Sequence, residues 1–374
     1  MSLRCSRRQV ISLFGYLSSG AIGFGLSACT NAPPVSTTTD TSTSVITPTP
    51  PVSILAGGKE IVISGAGAGF PAPLYQKWAI KFSKLHSNVR ITYQPVGSGA
   101  GIKQFIAGTV DFGATDIPLT DSEIAKVGRG ALMLPLTGGS VVLAYNLPNV
   151  SSLRLSRATY INILSGKIRN WNDAAILADN PNVEFPNSEI KLIYRADASG
   201  TTAALSQHLS AVSKEWQNTF GAGQMIKWRT GTGVIGSEAV SAQIQQNVGS
   251  MGYVEYGYAL RNNLAMAQLQ NRAGRFTAPT PATQTNALAR IRLPANLAGI
   301  DPDPLGDDSY PIVSYSWLLV YQNYPSAETA EVIKAFVAWA LEQGQEFSPA
   351  LGYSALPREA ISQIQSAIAQ IRVA

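Results

Sequence analysis

From Ile61 onward the apolar positions switch between two periods. Ile61, Val62 and Ile63 form an unbroken β-branched run, the pattern of a strand covered on both faces. Leu74, Trp78, Phe82 and Leu85 then recur at the spacing of one helix face, with Pro71 suited to a first helical turn. The same alternation returns twice. "VRITYQ" leads to Ile102, Phe105 and Ile106 at helical spacing, and "IKLIYR" leads to Leu205, Leu209 and Val212. Near the end, "SAETAEVIKAFVAWALEQG" predicts a helix capped by Ser326, buried along Val332, Phe336 and Trp339, and ended by Gly344. Strands alternating with helices predict an α/β fold.

Before this region the pattern differs. "RCSRRQVISLFGYLSSGAIGFGLSAC" has a basic start, an uncharged apolar stretch and a small-residue end, the order of a secretory leader over residues 1–28. Val10–Ala28 would also serve as an uncleaved anchor, and the pair Arg7 and Arg8 leaves general and twin-arginine export both open. The ending "LSAC" resembles a bacterial lipobox, which implies that Cys29 becomes the acylated first residue of the mature chain; an ordinary cleavage site nearby is the alternative. Residues 29–58 are rich in Thr, Ser and Pro and nearly free of charge, so a disordered tether is expected. As a flexible coil it would span roughly 30 Å. A folded domain is expected from about Lys59.

Three of the strand-to-helix turns share one chemistry. Gly65–Phe70, Gly97–Gly101 and Ala196–Thr201 each bring small residues and unpaired backbone N–H groups to a helix N-terminus, where the helix dipole favours anions. The third, in "YRADASGTT", adds a fixed positive charge in Arg195 and a carboxylate in Asp197. In "TVDFGATDIPLT", Asp116 ends a short strand-like run before Pro118, which suits either a cleft edge or a turn.

Composition narrows the chemistry. The chain has 374 residues, 45% hydrophobic and 14% charged, enough for one large core or two medium ones. Three of its five net positive charges are Arg4, Arg7 and Arg8 of the leader, so the mature surface is nearly balanced and gives no case for nucleic acid. With two histidines and two cysteines, a His-based metal site, a zinc cluster and a structural disulfide are disfavoured. His86 and His208 read as solvated surface residues. "GAGAGF" fails the dinucleotide fingerprint because Phe70 stands where a third glycine is needed, and neither a P-loop nor a G-x-S-x-G elbow occurs. Ser165 and Lys167 in "LSGKIRNWND" read better as a turn before a docked tryptophan than as a nucleophile pair. A binding module is expected, not an enzyme, with no cofactor.

Taken together, "GAGAGFPAPLYQKW", "VGSGAGIKQFIAGTVDFGATDIPL", "LSGKIRNWND", "RADASGTT" and "GYVEYGYA" resemble, in order along the chain, the periplasmic phosphate-binding proteins of Pst-type ABC transporters. The resemblance implies a two-lobed type II periplasmic binding protein fold with the ligand cleft between lobes joined by two crossing strands. Those crossings are expected near 141–146 and 310–321. Lobe one would comprise 59–145 plus 312–374, and lobe two 146–311. It further implies phosphate as ligand, the transmembrane subunits of an ABC permease as partners, a monomer, and a place at the outer face of a bacterial membrane, held there by the lipid on Cys29.

Carried over position by position, the resemblance implies a phosphate site made of the Gly69 and Phe70 N–H groups, the Ser98 hydroxyl and N–H, Arg195 held by Asp197, and Ser199, Gly200 and Thr201. Asp116 would accept a hydrogen bond from a P–OH. Sulfate offers no such proton, and a site built to receive one rejects an analogue lacking it by a factor on the order of 10⁴. The family usually has threonine where this chain has Gly69. One missing donor to an anion would weaken binding by about 1.5–3 kcal/mol without compensation. Binding of another tetrahedral oxyanion such as sulfate or molybdate, or a phosphate sensor that feeds no permease, remain the alternatives.

Overall fold

The computed structural model describes Leu55 and residues 58–374. The leader, Cys29 and nearly all of the tether therefore lie outside the described residues.

The apolar run at Ile61 becomes strand β1 (Ile61–Gly67), and the periodic stretch after it becomes helix α1 (Ala72–Leu85). Trp78, Phe82 and Leu74 of α1 are fully buried against the sheet. Leu85 is 59% exposed: it is the last residue of the helix, where the face runs off the sheet. The repeats follow as β2 (Val89–Gln94), α2 (Ser98–Ala107) and β3 (Phe112–Thr115). A 15-residue strand β4 (Ala131–Tyr145) comes next. Beyond it lie β5 (Lys191–Arg195), α3 (Gly200–Val212), β6 (Thr232–Val234), α4 (Ser237–Gln246), β7 (Ser250–Glu255) and α5 (Tyr256–Arg261). The chain returns through β8 (Val313–Tyr321) to α6 (Ala327–Glu342).

The strands form one mixed sheet in the order β2-β1-β3-β8-β4-β7-β5-β6, with the short strand Ala265–Met266 added on β4. β1, β2 and β3 are parallel on one side, and β5, β6 and β7 are parallel on the other. Between them β4 and β8 run antiparallel, and β4 carries the joint: residues 131–140 pair with β8, while residues 141–145 pair with β7. The β4–β8 register is irregular between Ser316 and Trp317. Parallel strands feeding helices put the strand-to-helix turns of each half at the C-terminal ends of its strands, where crevices of open α/β sheets bind ligands.

One reversal from sequence has a packing cause. His208 is not a surface residue. It is fully buried on α3, with Nε2 2.8 Å from the Tyr160 hydroxyl and Nδ1 2.7 Å from the Pro302 carbonyl oxygen. Burial pushes its pKa down to about 4, so the ring is neutral and meets both partners without a charge. Gly344 does lie just past α6, but its use is space. The Trp78 indole packs against its Cα and donates from Nε1 to its carbonyl oxygen at 2.7 Å. Ser326 caps α6 as expected, accepting from the Thr329 N–H. Trp171 is buried with Nε1 donating to the Gly249 carbonyl oxygen. No helix among the described residues is long and apolar enough to cross a membrane.

Gly101 sits where α2 crosses β1, and a Cβ there would overlap the Gly67 Cα and crowd the Ala66 and Ala114 carbonyl oxygens. Backbone cannot yield as a side chain does. Gly101→Ala should lower unfolding stability by about 1–3 kcal/mol in a urea titration; an unchanged midpoint would contradict this packing.

Candidate functional site

In the first turn, three tyrosine hydroxyls take three successive carbonyls. Tyr93 donates to Ala68 O (2.6 Å), Tyr258 to Gly69 O (3.1 Å) and Tyr353 to Phe70 O (2.7 Å). In a trans peptide the C=O and the next N–H point in opposite directions. Fixing the Ala68 and Gly69 carbonyls therefore fixes the Gly69 and Phe70 N–H groups on the side away from Tyr93 and Tyr258. Tyr258 belongs to α5, so this contact also joins the two halves of the sheet.

The second turn places Ser98 as the first residue of α2, wholly buried. Its Oγ lies 3.2 Å from Asp116 Oδ2 and accepts from the Asp116 N–H at 3.3 Å. Ser316 of β8 donates to Asp116 Oδ1 at 2.7 Å, and Ser314 donates to the Asp116 carbonyl oxygen. Asp116 is 1% exposed. Burial pushes its pKa from 3.8 up to about 7. The bond from Ser316 opposes the rise, the charge of Glu255 adds to it, and Ser98 and Arg195 pull it back.

The third turn carries Arg195 at the end of β5, 4% exposed. Its Nε donates to Asp197 Oδ1 at 2.7 Å and Nη2 to Asp197 Oδ2 at 2.5 Å, a bidentate fork. Its Nη1 donates to Ser237 Oγ at 2.9 Å. Burial works against the Arg195 charge, but the bond to Asp197 and the charges of Glu255 and Asp197 hold its pKa above the ordinary value. Burial likewise opposes the Asp197 charge, and Arg195 outweighs it, keeping that carboxylate below its usual range. Ser199 caps α3 by accepting from the Thr202 N–H. Thr201 Oγ1 donates to Glu255 Oε1 at 2.5 Å.

All nine positions expected from sequence come together here. Gly99 N donates to Ala198 O at 3.0 Å, which ties the second turn to the third. A Cβ on Gly200 would overlap Ser98 Oγ and Asp116 Oδ2, so only glycine lets these turns meet. A Cβ on Gly69 would lie 3.4 Å from Ser237 Oγ and 3.9 Å from Arg195 Nη1. The site thus joins backbone N–H groups, hydroxyls and one guanidinium around a buried carboxyl, which is chemistry for gripping an anion. Among the described residues, no cluster of three or more His, Cys, Asp or Glu side chains could hold a metal ion.

Sequence reasoning missed Ser237, Glu255, Tyr258 and Ser316. Ser237 opens α4 after Gly236, the same strand–Gly–helix grammar as the other turns, and could have been found that way. Glu255 and Tyr258 lie in "GYVEYGYA", which marked the resemblance without suggesting a role. Ser316 carries no local signal; only strand pairing brings it to Asp116.

A family model described as a PBP superfamily domain matches residues 32–343. The chain is 39% identical over 308 residues to the phosphate-binding protein PstS of Haemophilus influenzae, covering 81% of this chain and 91% of that protein. It is 36% identical over 324 residues to the phosphate-binding protein PstS of Methanocaldococcus jannaschii, covering 80% and 83%. In fold it is similar to a crystal structure of a phosphate-binding protein from Stenotrophomonas maltophilia, with a TM-score of 0.65, 18% identity, and coverage of 82% of this chain and 93% of that one.

The acidity of Asp116 has a consequence for stability. A carboxyl whose pKa is raised on folding stabilises fully below its unfolded value of 3.8, and that contribution is lost as pH climbs to about 7. Asp116→Asn carries no such charge. In urea unfolding of the ligand-free protein, its advantage over wild type should open between about pH 4 and about pH 7, reach up to roughly 4 kcal/mol, and stay flat above. A gap independent of pH would count against a buried, destabilised carboxylate.

Proposed function

The chain belongs to the PstS phosphate-binding proteins of the PBP superfamily, and from that premise we propose that it captures inorganic phosphate outside the cytoplasm for delivery to an ABC permease. The ligand is held without covalent chemistry. Phosphate sits between the two halves of the sheet, taken as lobes of residues 59–145 with 312–374 and residues 146–311, and closing the lobes sequesters it. From lobe one, the Gly69 and Phe70 N–H groups and the Ser98 hydroxyl donate. From lobe two, Arg195 supplies the charge, and Ser199, Gly200 and Thr201 donate from the N-terminus of α3. Asp197 aims Arg195: both of its oxygens are taken up by the guanidinium, and Oδ1 also accepts from the Gly236 N–H. Cys29 carries the lipid that holds the domain near the membrane.

The observation that carries this reading is the buried Asp116 at the meeting point of donors from both halves. An acceptor in a nest of donors is useful to a ligand that brings a proton, as phosphate does and sulfate does not.

Titration calorimetry with the purified protein tests it. Phosphate should bind, and Arg195→Ala should weaken it at least ~100-fold, because Asp197 is left partly buried and unpaired. Asp116→Asn should narrow the preference for phosphate over sulfate at least ~10-fold while weakening phosphate less than Arg195→Ala does. If sulfate competes equally with phosphate in wild type, the role given to Asp116 fails.

Gly69 offers the reverse experiment. Its φ is not in the left-handed region and its surroundings leave room for a Cβ. Gly69→Thr should fold normally and tighten phosphate by about 10- to 100-fold, the worth of one added donor to an anion. Weaker binding would mean that this turn already meets the ligand through its amides alone.

A further inference from the structure

The side of the site at Gly69 is its least furnished. A Cβ built there meets two atoms within 4 Å beyond its chain neighbours, Ser237 Oγ at 3.4 Å and Arg195 Nη1 at 3.9 Å. Both are ordinary van der Waals distances, so the turn leaves room for a carbon-sized group. Ser237 has one hydroxyl proton, and it goes to Glu255 Oε1 at 3.0 Å, while its oxygen accepts from Arg195 Nη1 at 2.9 Å. Nothing on Ser237 is left to donate. Arg195 has given one N–H of Nη1 to Ser237, and Nε and one N–H of Nη2 to Asp197. Position 69 itself contributes an amide and no side chain.

We propose that the site accepts methylphosphonate as well as phosphate, with the methyl group in the space at Gly69 and the three oxygens on the donors of the other turns. The inference rests on the phosphate reading above and names a second ligand class for the same cage. A hydrogen-bonding site rejects an analogue that lacks an oxygen chiefly through the donor left unpaired. A hydroxyl on residue 69 would be such a donor, and glycine has none. A methyl group also needs more room than an oxygen, because carbon stands further from phosphorus and carries three hydrogens. The missing side chain supplies that room, and Ser237 and Arg195 set its limit, since packed walls do not yield freely. The rest of the ligand suits the cage as phosphate does. Methylphosphonate has an acid dissociation near neutrality, so it too brings a P–OH for Asp116 to receive. The Ser98 hydroxyl, the amides of the first turn and the N-terminus of α3 serve its oxygens, and Arg195 serves its charge. Binding leaves the carbon–phosphorus bond intact.

Calorimetric titration of the purified protein with phosphate, methylphosphonate, ethylphosphonate and methanesulfonate tests this. Wild type should bind methylphosphonate about 10- to 100-fold more weakly than phosphate, the loss of one hydrogen-bonded oxygen. Ethylphosphonate should bind at least ~10-fold more weakly again, because its second carbon meets Ser237 and Arg195. Methanesulfonate has the shape without the P–OH and should not compete. Gly69→Thr should lower the affinity for methylphosphonate at least ~10-fold without weakening phosphate, since the added side chain fills the space and its hydroxyl is left unpaired against a methyl group. A methylphosphonate affinity more than ~1000-fold below that of phosphate would overturn the proposal, as more than one contact would then be lost. So would a methylphosphonate affinity that Gly69→Thr leaves unchanged. The comparison of methyl- with ethylphosphonate needs wild type alone and decides the matter if the variant does not fold: equal binding of the two would place the substituent outside the cage. Competition by methanesulfonate as strong as that by methylphosphonate would do the same. If wild type binds no phosphate, the functional reading fails instead.

Discussion

A buried guanidinium must be paired, and most of the site follows from how Arg195 meets that demand. Once Asp197 has taken Nε and Nη2, the remaining nitrogen can reach only what the fold supplies, and the fold supplies Ser237. Ser237 is the first residue of its helix and hands its own hydroxyl to Glu255, which also takes the hydroxyl of Thr201. One ion pair two residues apart in sequence thereby sets the orientation of groups from three separate elements. Removing either partner would leave a charge in a nearly dry environment, a larger loss than the pair itself contributes.

The two halves of the sheet meet through small residues. Gly200 faces Ser98 and Asp116, and Gly97 and Gly99 face Asp197 and Ala198. Each approach is closer than a side chain permits. Glycine here acts as a spacer of zero thickness between two helix N-termini, so that amides of opposite halves can address one volume. The same logic explains why the tyrosines sit behind the first turn. They take up its carbonyls, so the amides are held in place before a ligand arrives and little order remains to be imposed on binding.

Much of this was legible in the chain itself. The period of the apolar residues locates β1, α1, β2, α2, β5, α3 and α6, because each buries one face and must repeat at the spacing of its element. The turns carry their chemistry in consecutive residues, so Ser98, Arg195, Asp197 and Ser199 to Thr201 are visible without a fold. What was hidden depends on distant pairing. Ser316 meets Asp116 across 200 residues, and Glu255 meets Thr201 across 54. His208 looked solvated because its neighbours on α3 are polar; its partners Tyr160 and Pro302 come from elsewhere in the chain and cover it.

The irregular step between Ser316 and Trp317 falls on β8, which pairs with β3 on one side and with residues 131–140 of β4 on the other. A strand bends most readily where its ladder is interrupted, since fewer hydrogen bonds resist the change. Ser316 is also the residue whose hydroxyl meets Asp116 Oδ1. Mechanical compliance and one of the bonds that moderate this carboxyl's acidity therefore lie at the same residue: a flexure of β8 there would alter the affinity of that carboxyl for hydrogen ions.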